Sequence, residues 1–128
     1  MKVGFTGSQR GMTAKQRFAL LKVLGENKVE AFHHGDCVGA DLEAHLIVRS
    51  KPNIDVVVHP PSNPKKWAFL LGTTNLLPLP YLGRNKNIVN FTDVLLAAPA
   101  GPESALPRSG TWMTVRYARK VGKKVVIL

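Results

Sequence analysis

Four short polar segments hold the residues with which this chain could do chemistry: Thr6–Arg10, Gly35–Asp41, Arg84-Asn85 and Arg108–Thr111. Each is a glycine-bearing turn or the expected start of a helix. Backbone N–H groups at a helix start bind anions, and glycine lets a phosphate approach the main chain closely. Gly110-Thr111 is the strongest such position and Gly7-Ser8 the next. The candidate ligand- or phosphate-binding residues are therefore Gly7, Ser8, Gln9, Gly35, Asp36, Gly39, Asp41, Arg84, Asn85, Ser109, Gly110 and Thr111. Trp112 and Tyr81 are the candidates for stacking on a base. Neither GxGxxG nor GxxxxGK[ST] occurs, so the dinucleotide fingerprint and the ATPase P-loop are both absent.

Other groupings carry less. His33-His34-Gly35-Asp36-Cys37 contains metal-ligand types, but neighbours on a strand point to opposite faces, so His33 and His34 cannot easily share an ion. No metal site and no cofactor is expected. Cys37 sits beside an expected helix start, which would lower its pKa, yet no partner for a nucleophilic thiol is readable. Ser8 has no GxSxG elbow and suits phosphate contact better. His34, at a strand end, either touches a ligand or shapes the loop. His45, four residues past Asp41 on one helical face, reads as a packing or hydrogen-bonding residue.

The elements that must position these loops alternate regularly. Lys2–Thr6 reads as a buried strand running into Gly7-Ser8. A helix follows from Thr13, which stands in capping-box register with Gln16; Phe18, Leu21 and Leu24 are expected to face the sheet, and Gly25 and Asn27 to close the helix. Glu30–His34 is a second strand, and Ala40–Arg49 a second helix with Leu42, Leu46 and Ile47 directed inward. Ile54–His59 is a run rich in β-branched residues, which points to a strand buried on both faces of a parallel sheet. Prolines 60, 61 and 64 stop it. Residues 62–80 show no periodicity and read as a loop or short helix crossing the domain. A helix over Tyr81–Thr92, a strand over Asp93–Pro99, a loop, a helix over Thr111–Val121 and a last strand from Lys124 complete the chain. The expected fold is α/β: a Rossmann-like, doubly wound, mostly parallel sheet of about five strands, helices on both faces, in one domain. In that fold the four polar segments meet at the carboxyl ends of the strands.

Composition limits the partners. The chain has 128 residues, 18 Lys+Arg against 8 Asp+Glu, a formal charge of +10 and 45% apolar residues. This is a folded basic protein suited to nucleotides, nucleic acid or acidic surfaces. After Glu103 come Arg108, Arg116, Arg119, Lys120, Lys123 and Lys124 with no acid, either a solvated helix face or a funnel for nucleic acid or a polyphosphate ligand. The lone Cys37 excludes an internal disulfide framework and fits a reducing, cytoplasmic setting. No apolar stretch reaches the length that spans a bilayer, and the first residues carry no export signal, so no membrane partner is expected.

Taken together, TGSQRGMT (Thr6–Thr13), GDCVGAD (Gly35–Asp41), GRNKNIV (Gly83–Val89), DVLLAAPAG (Asp93–Gly101) and the run from Ser109 to Leu128 resemble the SLOG superfamily. That superfamily includes the DprA DNA-processing proteins and the LOG phosphoribohydrolases; the likeness is greatest to its small stand-alone bacterial and phage branch. The resemblance covers nearly the whole chain and lies in the combination of motifs. It implies a Rossmann-like domain that binds a nucleotide or nucleotide-derived ligand. Gly7 and Ser8 would line a first loop and Gly35, Gly39 and Asp41 a second. Arg84 would reach a phosphate that Ser109–Thr111 cradle. Asp41 would either contact the ligand or hold its own loop. The hydrolase pattern PGGxGTxxE places Thr114 where its glutamate belongs and Asn85 where its lysine belongs. A threonine cannot supply the carboxylate that N-glycosidic hydrolysis needs, which leaves binding as the first expectation. Phosphoribohydrolase activity on a nucleoside monophosphate and DprA-like nucleic-acid binding are the alternatives. Such domains commonly assemble as oligomers, and the apolar span Trp67–Leu79 is the expected contact between copies.

Overall fold

The computed structural model describes residues 1–128. Six parallel strands form one sheet: β1 (Lys2–Gly7), β2 (Ala31–His34), β3 (Asp55–Val58), β4 (Thr74–Asn75), β5 (Val94–Ala98) and β6 (Lys124–Ile127), in the order β4-β3-β2-β1-β5-β6. Four helices connect them: α1 (Ala14–Glu26), α2 (Ala40–Arg49), α3 (Tyr81–Asn90) and α4 (Gly110–Lys120). This is the doubly wound, Rossmann-like arrangement expected. The strand beyond the expected five is β4. It is too short and polar to show a strand period, and forms because Leu76 N donates to Val58 O (2.9 Å) while Thr73 Oγ1 accepts from Val56 N (3.0 Å).

The alternation of side chains along the strands divides the core in two. Val3 and Phe5 of β1, Phe32 of β2, Val56 and Val58 of β3 and Val94, Leu96 and Ala98 of β5 pack beneath α1 and α2. Leu95 and Ala97 point the other way and meet Ile88 and Val89 of α3 with Trp112, Val115 and Ala118 of α4. The two faces are thus covered by different helix pairs, as a buried parallel sheet requires.

Local signals hold at the helix ends. Thr13 Oγ1 accepts from Gln16 N (3.1 Å) and Gln16 Oε1 from Thr13 N (2.9 Å), a complete capping box. The inward faces differ from expectation. On α1, Gln16, Leu20 and Leu24 are buried, while Phe18 is 72% exposed and Leu21 is also exposed. The helix is rotated by Gln16, whose Nε2 donates to Pro99 O (2.8 Å) across the top of the sheet. On α2, Ala40, Asp41, Ala44, His45 and Val48 are buried and Leu46 is exposed, with Leu42 and Ile47 between. There the small alanines let the helix lie close to the sheet, and Asp41 and His45 turn inward because each finds a polar partner.

Candidate functional site

The chain winds outward from β1 through β2 and β3 to β4, then returns to β5 on the other side of β1. In open α/β sheets the crevice at such a reversal is the usual binding position. A cleft of about 460 Å³ opens there, at the carboxyl ends of the strands. It is lined by Thr6–Arg10 from the β1 loop, Gly35, Cys37 and Asp41 from the β2 loop, Tyr81, Arg84 and Asn85 from α3, and Ser109–Thr111 at the start of α4. All four polar segments therefore meet. Ser8, the residue after β1, donates its N–H to Ala98 O (3.0 Å) and accepts from Ala40 N (2.9 Å), so the first loop is tied to the end of β5 and to the start of α2.

The start of α4 is the clearest anion position. Ser109 Oγ accepts from Trp112 N (3.1 Å) and Ser109 O from Met113 N (3.0 Å). The amides of Gly110 and Thr111, which open the helix ahead of those two, have no carbonyl one turn back within it, and both residues line the cleft. Arg10 and Lys66 are exposed cations on the rim. Lys66 Nζ donates to Gln9 Oε1, bridging two walls.

Arg84 and Asp41 are placed differently from simple ligand contacts. Arg84 is 8% exposed, and its Nη1 donates to Gly35 O and to His59 O (3.3 Å). Its guanidinium packs so closely on Gly35 that a Cβ there would stand 2.5 Å from Nη1, which is why only glycine fits. Arg84 thus builds the floor of the cleft by fixing the ends of β2 and β3. Asp41 Oδ2 accepts from Gly35 N (3.1 Å) and Cys37 N (3.3 Å), holding its own loop, while Oδ1 has no protein partner. Burial raises Asp41 to about 6, against the opposing pull of Arg84 and of the two amides.

Three expected site residues lie off the cleft wall. Gly39 (φ 89°) packs against the main chain of Gln9, interlocking the first two loops. Asp36 is buried beneath the wall, where it accepts from Trp67 Nε1 and Leu70 N (2.8 Å). Trp112 is in the core below α4, its indole N–H donating to Gly101 O (2.9 Å), so it has no face open to a base. Tyr81 does line the cleft and is exposed. Cys37 is half-buried, and burial pushes its thiol up rather than down, outweighing any helix-start effect. Thr114, at the position of the hydrolase glutamate, is buried with its hydroxyl donating to Gly110 O (2.8 Å). Glu103 pairs with Arg116 (3.1 Å) and Arg119 (3.9 Å), outside the cleft.

The histidines pair across the sheet. His34 Nε2 meets His45 Nδ1 (2.9 Å) on one face, and His33 Nδ1 meets His59 Nε2 (2.8 Å) on the other. Asp36 N donates to His34 Nδ1 (3.0 Å), so that nitrogen is unprotonated and the His34 proton sits on Nε2, directed at His45. No group of three or more His, Cys, Asp or Glu is placed to hold a metal ion. No helix is long and apolar enough to cross a membrane.

Sequence reasoning missed Pro61, Asn63 and Lys66, which line the cleft from the segment between β3 and β4. The only signal there was the Lys65-Lys66 pair after a proline stop. Fold and cleft together define a doubly wound α/β domain with a basic, glycine-walled crevice at its topological switch point. Comparison with protein-family models, with curated proteins and with solved structures found no match to this chain.

Proposed function

We propose that this chain binds a phosphate-bearing nucleotide or nucleotide-derived molecule at the carboxyl ends of its strands, sensing or sequestering it. The supporting observation is the meeting of four separate polar segments around one cleft. The Gly110 and Thr111 amides would receive the phosphate, Arg10 and Lys66 would neutralise it, and Tyr81 would cover the base or ribose. The cleft volume lies in the range of small-molecule sites. The motif resemblance to SLOG domains points the same way, and the lone thiol Cys37 accords with a reducing cytoplasm.

Calorimetry with AMP, adenosine and inorganic phosphate tests this reading. AMP should bind saturably at one site per chain and adenosine far more weakly, and Arg10→Ala should lower AMP affinity by roughly tenfold. Equal affinity for AMP and adenosine, or no heat with any nucleotide, would discard it. Free base accumulating in the AMP mixture would replace binding by N-glycosidic hydrolysis. Single-stranded DNA affinity that falls steeply with salt, with AMP ignored, would favour nucleic-acid binding.

Self-association is proposed on a separate observation. Residues 67–83 contain no charged side chain, although the chain carries +10, and Leu71 and Leu77 are 79% and 86% exposed. Two copies meet there with the least charge repulsion and the most apolar surface removed from water. Sedimentation should show a concentration-dependent dimer that Leu77→Lys disperses; a wild-type monomer at all concentrations would reject it.

A further inference from the structure

Asp36 serves one segment with three acceptor atoms. Its main-chain oxygen accepts from Ala68 N (2.9 Å), Oδ1 from Leu70 N (2.8 Å) and Oδ2 from Trp67 Nε1. Next to it, Val38 N donates to Lys66 O (3.0 Å), and Cys37 forms a bridge with Trp67. Residues 66–70 are therefore clamped to the β2–α2 loop by groups centred on one carboxylate that is 1% exposed. Lys66, the first residue of the clamped segment, extends over the cleft to Gln9.

The backbone at this clamp is strained on both sides. Asp36 has φ 56° and Phe69 has φ 57°, and Asn53 is the only other non-glycine residue with positive φ. Left-handed conformations cost energy, most of all at a bulky residue such as phenylalanine, and persist only where surrounding contacts enforce them. Here the enforcing contacts are the bonds to Asp36 on either side of Phe69. Locally the segment is only a short 3-10 turn (Pro64–Lys66), capped by Asn63 Oδ1 accepting from Lys65 N (3.1 Å) and closed by Trp67 N donating to Pro64 O (3.2 Å). The chain that follows is irregular, so its place against the β2–α2 loop depends on the bonds to that loop.

We infer that Asp36 is a positioning residue for the cleft: without touching the ligand, it clamps residues 66–70 so that Lys66 stands ready for the ligand's anionic group. This rests on the nucleotide reading of the cleft. The carboxylate is suited to the task because it accepts at both oxygens, where an amide would turn an NH2 group against an N–H donor.

The test compares Asp36→Asn, Lys66→Ala and the double variant, with AMP as the calorimetric probe. Asp36→Asn and Lys66→Ala should each weaken AMP by roughly tenfold, and the double variant should bind no more weakly than either. Losses that multiply in the double variant, or wild-type affinity in Asp36→Asn, would overturn the inference. Trp67→Phe, which removes one clamp bond and keeps the ring stacked on Phe69 (4.5 Å between centroids), should move affinity the same way by less. It also serves if Asp36→Asn fails to fold. A readout without ligand separates the two readings: Cys37, beneath the clamped segment, should be alkylated by iodoacetamide several-fold faster in either clamp variant. If wild type ignores AMP but Cys37 reactivity rises, the nucleotide reading fails and the clamp stands; unchanged reactivity overturns the clamp itself.

Discussion

Gly39→Ala should destabilise the protein by about 3–5 kcal/mol and remove ligand binding even where the protein remains folded. Gly39 has φ 89° and ψ −125°, a backbone region that residues with a Cβ rarely adopt. A Cβ built there would stand 2.3 Å from Gln9 O and 2.5 Å from Gln9 C, main-chain atoms that cannot rotate away. Relief requires the β1 loop and the β2 loop to part, yet Ser8, in that β1 loop, also accepts the first amide of α2 through Ala40 N. The damage therefore falls on two walls of the cleft at once. Urea denaturation checks the size of the effect, with Gly25→Ala as the control. Gly25 lies exposed within α1 with nothing within 4 Å of its Cβ position, so alanine there should stabilise by about 0.5–1 kcal/mol. A loss below about 1 kcal/mol at Gly39 would mean that the loops are not interlocked.

Acid should unfold the protein steeply. Burial lowers His33 to about 4 and His34 and His59 to about 3, and it lowers His45 as well. Unfolded, each titrates near 6.5, so below that pH the unfolded chain takes up protons that the native state refuses, and stability falls as pH falls. Asp41 acts in the opposite sense. Its native value of about 6 lies above the unfolded 3.8, so between them the folded state holds a proton that the unfolded state has lost. With the three numbered histidines against Asp41, unfolding near pH 5 takes up about two protons net, a slope of roughly 3 kcal/mol per pH unit. Between pH 7 and pH 4 the loss reaches about 7 kcal/mol, the same order as an ordinary domain stability of about 5–15 kcal/mol, so the folded state weakens steeply across that range. Protonating His34 also removes the acceptor for Asp36 N, so acid attacks the clamp directly. Denaturant midpoints at pH 7, 6 and 5 provide the check; a flat profile would show that these histidines are not held neutral.

The rim of the cleft was legible because its loops are built from local signals. Gly7-Ser8, Gly35, Arg84-Asn85 and Ser109–Thr111 follow strands or open helices, and in a doubly wound sheet those points gather at one end. The helix faces were less legible, because buried polar residues compete with apolar ones for the inward side. Gln16 displaces Phe18, and Asp41 with His45 displaces Leu46, through hydrogen bonds to groups far away in sequence. Trp112 misled for a similar reason: its place after the glycine turn suggested a base platform, but its N–H has a carbonyl inside the protein. Residues 62–80 were opaque because their conformation is imposed by Asp36 and by the β3 edge rather than by their own periodicity. The Lys66 wall of the cleft was hidden with them.

The central position of β1 has a consequence for synthesis. Of the six strands it is made before the others, but its partner β5 is separated from it by about ninety residues, with Val3 opposite Val94 and Gly7 opposite Ala98. Until that late strand emerges, one hydrogen-bonding edge of β1 stays open, and pairings so distant along the chain are slow to form. The nascent domain must therefore carry an unfinished sheet until β5 is made, and the stretch from α4 onward decides when the crevice first exists.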